Sequence, residues 1–181
     1  MKENKEFELI KRFIDGDESA FNQIVQLYRE KIYWHARRMT GNHMDADEIT
    51  QQVLIVLYKK LNTFKFNSSL YTWIYKITST RSLNLIKKNN LRRFFSFEDV
   101  NENETKQEND IVKNIDDKDK LNKLDEILQT LPPKQREIFV LKNFDELSYK
   151  EISEITGKSI GTLKANYFHA LKKITEKMSD E

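Results

Sequence analysis

Ser148-Tyr149-Lys150-Glu151-Ile152-Ser153-Glu154-Ile155-Thr156-Gly157-Lys158-Ser159-Ile160-Gly161-Thr162-Leu163 is the stretch on which the fold turns. Its first four residues spell a capping box. The Ser148 hydroxyl is placed to accept an amide of the first turn while Glu151 reaches back to the amide of Ser148. Ile152 and Ile155 supply an apolar side, and Gly157 stands where a helix should end. After a short turn over residues 156–159, Ile160, Leu163, Tyr167, Ala170, Leu171 and Ile174 recur at a spacing that buries one face of a second helix. That is the outline of a helix-turn-helix. Its outward positions, Gly161, Thr162, Lys164, Ala165, Phe168, His169 and Lys172, are mostly small or polar groups that suit a major groove and its phosphates. An ordinary pair of antiparallel helices fits the same pattern, so the motif alone leaves both open.

The rest of the chain reads as helical too. Among 181 residues there are four Gly and two Pro, too few breakers for the turns of a sandwich or barrel. Phe7, Ile10, Phe13 and Ile14 begin a short helix that pauses at Asp15-Gly16-Asp17. Phe21, Ile24, Val25, Leu27, Tyr28 and Ile32 continue in a long one ended by Gly41 and Asn42. Asp45, Asp47 and Glu48 open a third, acids being favourable at a helix start, and Val53, Leu54, Val56, Leu57 and Leu61 give its buried side. After a polar break over residues 65–69, Leu70, Trp73, Ile74 and Ile77 line one side of a fourth helix, with Lys76, Thr80, Asn84, Lys87 and Lys88 on the other. Apolar residues then thin out over residues 98–120 while acids return, which reads as an acidic, extended linker. Leu121, Leu124, Ile127, Leu128 and Leu131 resume the helical period up to Pro132-Pro133, and a further helix spans residues 134–143. The expectation is an all-α chain: one helical domain over residues 1–95, an acidic linker over 96–120, and a helix-turn-helix domain over 121–181.

The net charge of +2 is uninformative, but its distribution is not. Residues 49–97 contain no Asp or Glu, while Lys59, Lys60, Lys65, Lys76, Arg81, Lys87, Lys88, Arg92 and Arg93 all fall there. Tyr58, Phe64, Phe66, Tyr71, Trp73, Tyr75, Phe94, Phe95 and Phe97 lie in the same stretch. Most of these aromatics belong to the core. Any that face outward beside Lys and Arg make a stacking platform for unpaired bases, worth roughly 1–3 kcal/mol per base.

Other chemistry finds little support. Without Cys there is no disulfide framework and no thiolate zinc site. His35, His43 and His169 lack any paired ligand spacing, which favours surface or groove roles. Gly157-Lys158-Ser159 resembles the tail of a phosphate-binding loop, but Ile152 stands where that loop needs Gly. Asp45, Asp47 and Glu48 read as helix-start acids in preference to a magnesium site. No catalytic residue, metal or cofactor is expected. With no signal-like segment and no long apolar run, a soluble cytoplasmic protein without membrane insertion is expected.

Three stretches in order then carry a family resemblance: Asp45-Ala46-Asp47-Glu48-Ile49-Thr50-Gln51-Gln52-Val53; Leu70-Tyr71-Thr72-Trp73-Ile74-Tyr75-Lys76-Ile77; and Leu131-Pro132-Pro133-Lys134-Gln135-Arg136-Glu137 followed by Leu147-Ser148-Tyr149-Lys150-Glu151-Ile152. Over nearly its whole length the chain resembles a bacterial RNA polymerase sigma factor of the extracytoplasmic-function (ECF) group of the sigma-seventy family. The resemblance implies a protein that binds core polymerase, through its largest and second-largest subunits, and directs promoter-specific initiation. It implies that Asp45, Asp47, Glu48, Gln51 and Gln52 dock on the largest subunit, and acids at a helix start suit such a contact. Where the family usually has Asp, Glu and Phe, this chain has Glu48, Gln52 and Leu54, which lowers the charge of the dock.

The resemblance also implies that residues 65–69 and the helix after them capture flipped bases of the minus-ten element, through Lys65, Asn67, Ser68, Lys76, Thr80, Arg81 and Asn84. It implies that the helix-turn-helix reads the minus-thirty-five element through Ser159, Thr162, Lys164, Asn166, His169 and Lys172. The linker would thread the polymerase cleft, its acids mimicking a nucleic-acid backbone, and an anti-sigma factor is an expected partner. The alternative is a stand-alone helix-turn-helix regulator, which has no use for the dock at residues 45–53. A helical scaffold or RNA-binding adaptor is a third reading.

Overall fold

The computed structural model describes the backbone of residues 2–96 and 115–179, and the side chains of residues 5–95 and 121–179. Every long element among the described residues is an α-helix: α1 (Lys2–Ile14), α2 (Glu18–Thr40), α3 (His43–Lys60), α4 (Leu70–Ser96), α5 (Ile115–Thr130), α6 (Pro133–Asn143), α7 (Tyr149–Thr156) and α8 (Ile160–Ser179). Phe97 and the acids from Glu98 to Asp110 lie outside the described residues. α5 begins at Ile115, so residues 115–120, expected as the end of an extended linker, are helical instead.

Local chemistry sets most boundaries. Asp17 caps α2 by accepting from the Ser19 amide at 2.9 Å, and Arg12 grips the same carboxylate at 2.6 Å. The Ser19 hydroxyl, the Arg12 guanidinium and the Ser19 amide hold the Asp17 carboxyl down to about 2. α2 ends at Gly41 in the left-handed conformation, φ 74°. Any side chain there would also meet α5, since a Cβ would lie 2.6 Å from the Gln129 side chain. Asn42 starts α3 by accepting from the Asp45 amide at 3.1 Å, so this helix opens two residues before the acids that the sequence placed at its start. Pro133 occupies the first turn of α6, where its missing amide is no loss.

α1 to α4 wrap a core of Leu9, Ile10, Ile24, Tyr28, Ile32, Ile49, Val53, Leu57, Leu61 and Ile74. The second half does not stand apart. Met39 of α2, fully buried, packs with Ile127, Leu128 and Leu131 of the α5 region, against which Leu83 and Ile86 of α4 also lean. Tyr75 of α4 packs with Ile138, Leu141, Ile152 and Leu163 of α6 to α8. Burying a Met side chain of this kind stabilises by about 1.5–3 kcal/mol. The two halves therefore meet along a seam.

Some side chains expected inside are outside. Ile160 and Leu171 of α8 are 44% and 41% exposed, whereas Leu163, Ala170 and Ile174 are buried and Tyr167 partly so. The buried stripe of α8 is narrower than the apolar spacing suggested, because α5, α6 and α7 cover one side only.

Candidate polymerase and nucleic-acid interface

The start of α3 places Asp47, Glu48 and Gln51 in solvent, while Asp45 and Gln52 are partly buried. Burial, and then the neighbouring Glu48 charge, push the Asp45 carboxyl above the usual carboxylate range, against the Asn89 amide that donates to it at 3.4 Å. Gln52 bridges two helices. Its amide nitrogen donates to Glu48 Oε1 at 2.8 Å, and its carbonyl accepts from Arg81 Nη1 at 2.6 Å. The acidic end of α3 is thereby fixed beside the basic side of α4.

A 3-10 turn over Leu61–Thr63 ends α3 and leads into the loop of residues 65–69. Phe66 sits there with φ 55°, a strained conformation for a bulky side chain. Its ring lies 4.9 Å from that of Phe64 and 4.8 Å from that of Phe7, and Phe64 in turn lies 5.2 Å from Trp73. Phe64, Phe66 and Ser68 border a cavity of about 250 Å³ that Phe7 and Ile10 of α1 close from the other side. Lys65 and Asn67 are exposed on the loop, and Ser69 starts α4 by accepting from the Thr72 amide at 3.1 Å.

Beyond the loop, Lys76, Thr80 and Asn84 stand exposed one turn apart, and Lys87 and Lys88 continue the row. Thr80 spends its hydroxyl on the Lys76 carbonyl at 2.7 Å, and Arg81 is held by Gln52, so both are less available than the lysines. An open groove of about 510 Å³ runs on along α4 between Asn84, Lys88, Arg92 and Phe95. The sequence reading noted Arg92 and Phe95 for charge and stacking but assigned neither to a site. It placed Phe7 in the first helix but in no site, because one apolar residue on a short helix carries no signal of a cavity. Of the aromatics in the acid-free stretch, Tyr58, Phe66, Phe94 and Phe95 face solvent, whereas Tyr75 is buried.

α7 and α8 form the expected helix-turn-helix. Both halves of the capping box are made: the Ser148 amide donates to Glu151 at 2.8 Å and its hydroxyl accepts from the Glu151 amide at 3.3 Å. Gly157 ends α7 with φ 69°, and the Ser153 hydroxyl pins the turn by donating to the Lys158 carbonyl at 2.6 Å. Ser159 accepts from the Thr162 amide at 3.2 Å and so starts α8. Ser148→Ala is expected to lower stability by about 1 kcal/mol. Denaturant melts of the two proteins test this, and equal midpoints would refute it.

On α8, Thr162, Lys164, His169 and Lys172 are exposed, as are Gly161, Ala165 and Phe168. The Lys164 ammonium lies 5.9 Å over the Tyr149 ring, which sets its direction. Asn166 is partly buried and donates to the Thr162 carbonyl at 2.8 Å, so its amide is committed to its own helix. Lys172 lies 3.8 Å from Glu176.

His35 departs from expectation. It is fully buried, its Nδ1 donating to Asp145 Oδ2 at 2.6 Å, while His43 and His169 are exposed. The partner lies 110 residues away along the chain, beyond the reach of any local pattern. Among the described residues no group of three or more His, Asp or Glu is placed to hold a metal ion. Among the same residues no helix is long and apolar enough to cross a membrane.

Residues 24–92 match the family model described as Sigma-70 region 2, and residues 121–174 the one described as Sigma-70, region 4. The ECF RNA polymerase sigma factor SigW of Bacillus subtilis (strain 168) is 30% identical over 178 residues, covering 94% of this chain and 95% of that protein. The ECF RNA polymerase sigma-E factor of Escherichia coli (strain K12) is 28% identical over 177 residues, covering 94% and 92%. In fold, the chain is similar to the sigma factor RpoE of Bartonella quintana, solved with the anti-sigma factor NepR, at a TM-score of 0.72, 22% identity and coverage of 89% and 98%. It is similar to CnrH, solved with the cytosolic domain of CnrY, at a TM-score of 0.72, 18% identity and coverage of 98% and 99%. With the capping-box helix-turn-helix and both sigma regions in order along one chain, the protein belongs to the ECF RNA polymerase sigma factors and directs transcription initiation.

Proposed function

We propose that the start of α3 docks on the largest subunit of core polymerase through Asp47, Glu48 and Gln51, with Asp45 and Gln52 positioning it. The loop of residues 65–69 and the exposed row Lys76, Thr80 and Asn84, with Arg81 beside it, take the opened minus-ten strand. Ser159, Thr162, Lys164, His169 and Lys172 of α8 face the minus-thirty-five duplex, and Asn166 steadies the helix from its flank. The second-largest subunit is a further partner within core polymerase. Residues 1–95 and 121–181 act as the two functional domains, and the protein contributes no catalytic group of its own.

One observation carries this reading: the Glu48–Gln52–Arg81 chain fixes an acidic helix start beside a basic, acid-free helix face. A polymerase contact and a nucleic-acid contact on adjoining faces suit a factor that delivers one to the other. A stand-alone regulator needs only the second. RpoE of Bartonella quintana was solved with an anti-sigma factor, and a partner of that kind is proposed here too.

The test is transcription reconstituted with purified core polymerase and genomic fragments, with start sites mapped. Specific starts that require this protein support the reading; promoter footprints obtained equally well without core would sink it. Lys164→Ala is expected to weaken protection upstream of the start site about tenfold, the value of a single good base or phosphate contact. It should also flatten the dependence on salt by about one phosphate contact. An unchanged footprint would remove Lys164 from the interface.

A further inference from the structure

Glu6 is a carboxylate that α1 turns inward. It is 8% exposed, and among the described residues the Tyr28 hydroxyl of α2 is the only side chain that donates to it, at Oε1. An ionised carboxylate accepts at about four lone-pair sites and donates at none. One neutral hydroxyl leaves most of that capacity unused, while burial of the charge is costly. Fastening α1 to α2 asks for no charge, since a neutral acceptor would take the Tyr28 hydroxyl at a lower desolvation cost.

The carboxylate has a place to act. Glu6 borders the cavity of about 250 Å³ behind the loop of residues 65–69, together with Phe7, Ile10, Phe64, Phe66 and Ser68. Phe7 and Phe66 are 45% and 44% exposed at its mouth, whereas Ile10 is buried. The space is smaller than the pockets that take drug-sized ligands, which suits one flat ring. Aromatic faces and edges surround such a ring, and Glu6 is the one ionisable group among the described residues that line the space.

A base that enters this cavity meets an acceptor. Cytosine and adenine carry an exocyclic amine, at N4 and N6, that can donate to it. Thymine and guanine present carbonyl oxygens at the same edge, O4 and O6, which a carboxylate repels. The ring N–H of thymine lies between two carbonyl groups, and the paired N–H groups of guanine call for both carboxylate oxygens, one of which Tyr28 holds. Extrusion from the stack has to be recovered inside the pocket. A keto base therefore loses twice, by the bond it cannot make and by the oxygen it leaves desolvated.

We infer that, granted the minus-ten reading above, Glu6 sets which base the loop cavity accepts: its carboxylate, pinned at one oxygen by Tyr28, takes the exocyclic amine of cytosine or adenine and turns away thymine and guanine. The deciding group stands on α1, outside the loop and the α4 row that carry the other contacts to the strand. Tyr28 is a positioning residue, because it touches the carboxylate and not the base. The choice between cytosine and adenine is left to the other groups around the cavity.

The test uses the full chain with purified core polymerase on pre-opened templates that carry each base in turn at every position of the unpaired stretch. The parent is expected to bind cytosine or adenine at one position about tenfold better than thymine and guanine, the value of one charge-assisted hydrogen bond. Exchanging cytosine for uracil there, which swaps the amine for a carbonyl on a ring of the same size, should cost as much. Glu6→Gln keeps an acceptor for Tyr28 and turns an amide N–H toward the cavity, so the preference should vanish or pass to the keto bases. Tyr28→Phe keeps the carboxylate but frees it to rotate, so the preference should shrink without reversing. Two variants on different helices keep the test open should one of them fail to fold. A preference that both leave at parental strength, or a parent that favours thymine or guanine, would overturn the role of Glu6 and leave the minus-ten reading standing. A parent indifferent to the base at every position would refute that reading as well.

Discussion

Asp47→Arg is expected to weaken binding to core polymerase at least a hundredfold, with melting midpoint and helix content essentially unchanged. Asp47 is exposed in the second turn of α3, just past the helix start where the backbone amides and the helix dipole favour an acid. Its replacement loses a few tenths of a kcal/mol of helix stability, because no described packing contact depends on it. At an interface with basic partners the same change removes an attraction and creates a repulsion. Like charges brought together there cost several kcal/mol, and a hundredfold is about 2.7 kcal/mol. Asp47→Asn, which only neutralises, should fall in between and lose most of its effect at high salt. Titration of labelled protein against core enzyme measures this. Equal affinities for Asp47→Arg and the parent would mean that polymerase is held elsewhere.

The exposed start of α3, the exposed row on α4 and the helix-turn-helix were legible because each rests on local regularities. Lys76, Thr80 and Asn84 share a face by the four-residue repeat alone, and the structure exposes all three. Ser148 with Glu151 is a pattern of two residues whose hydrogen bonds need nothing beyond the first turn of α7. Gly41 was read correctly as a helix end, but the sequence held no trace of the Gln129 side chain that also demands glycine there. The seam was invisible for the same reason. His35 and Asp145, Ser79 and Glu137, and Arg136 and the Met39 carbonyl are pairs far apart in sequence, each made of residues that suit a surface equally well. Polar pairing leaves no periodicity, and nothing local marks the surrounding apolar residues, Met39 and Tyr75 among them, as facing the other half. The cavity behind the loop was hidden likewise, since it takes Phe7 of α1 to close it. Asn166, by contrast, is a case where local geometry diverts a candidate: its four-residue spacing from Thr162 brings its amide onto a helix carbonyl.

Asn67→Ala is expected to slow formation of open promoter complexes by a factor of ten to a hundred on duplex DNA while leaving polymerase binding intact. The residue is exposed in the loop next to Phe66, and its side chain supports no described element of the fold. Stability should therefore not change. A base turned out of the duplex costs a few kcal/mol to unstack, and that cost is recovered only if its edge meets hydrogen-bonding groups and its face meets aromatic rings. Phe64, Phe66 and Ser68 border a cavity that supplies rings and a hydroxyl, and Asn67 beside it has both a donor and an acceptor to offer. Losing one such pair of contacts is worth about 1–3 kcal/mol, which gives the stated range. A pre-opened template separates reading from melting. There the unstacking cost is already met, so a residue that merely helped melting would become dispensable. If Asn67 reads the base, the parent protein should still prefer one base at that position about tenfold on the pre-opened template, and Asn67→Ala should lose the preference. Identical rates on duplex, together with an unaltered base preference on the open template, would place the captured base somewhere other than the cavity behind this loop.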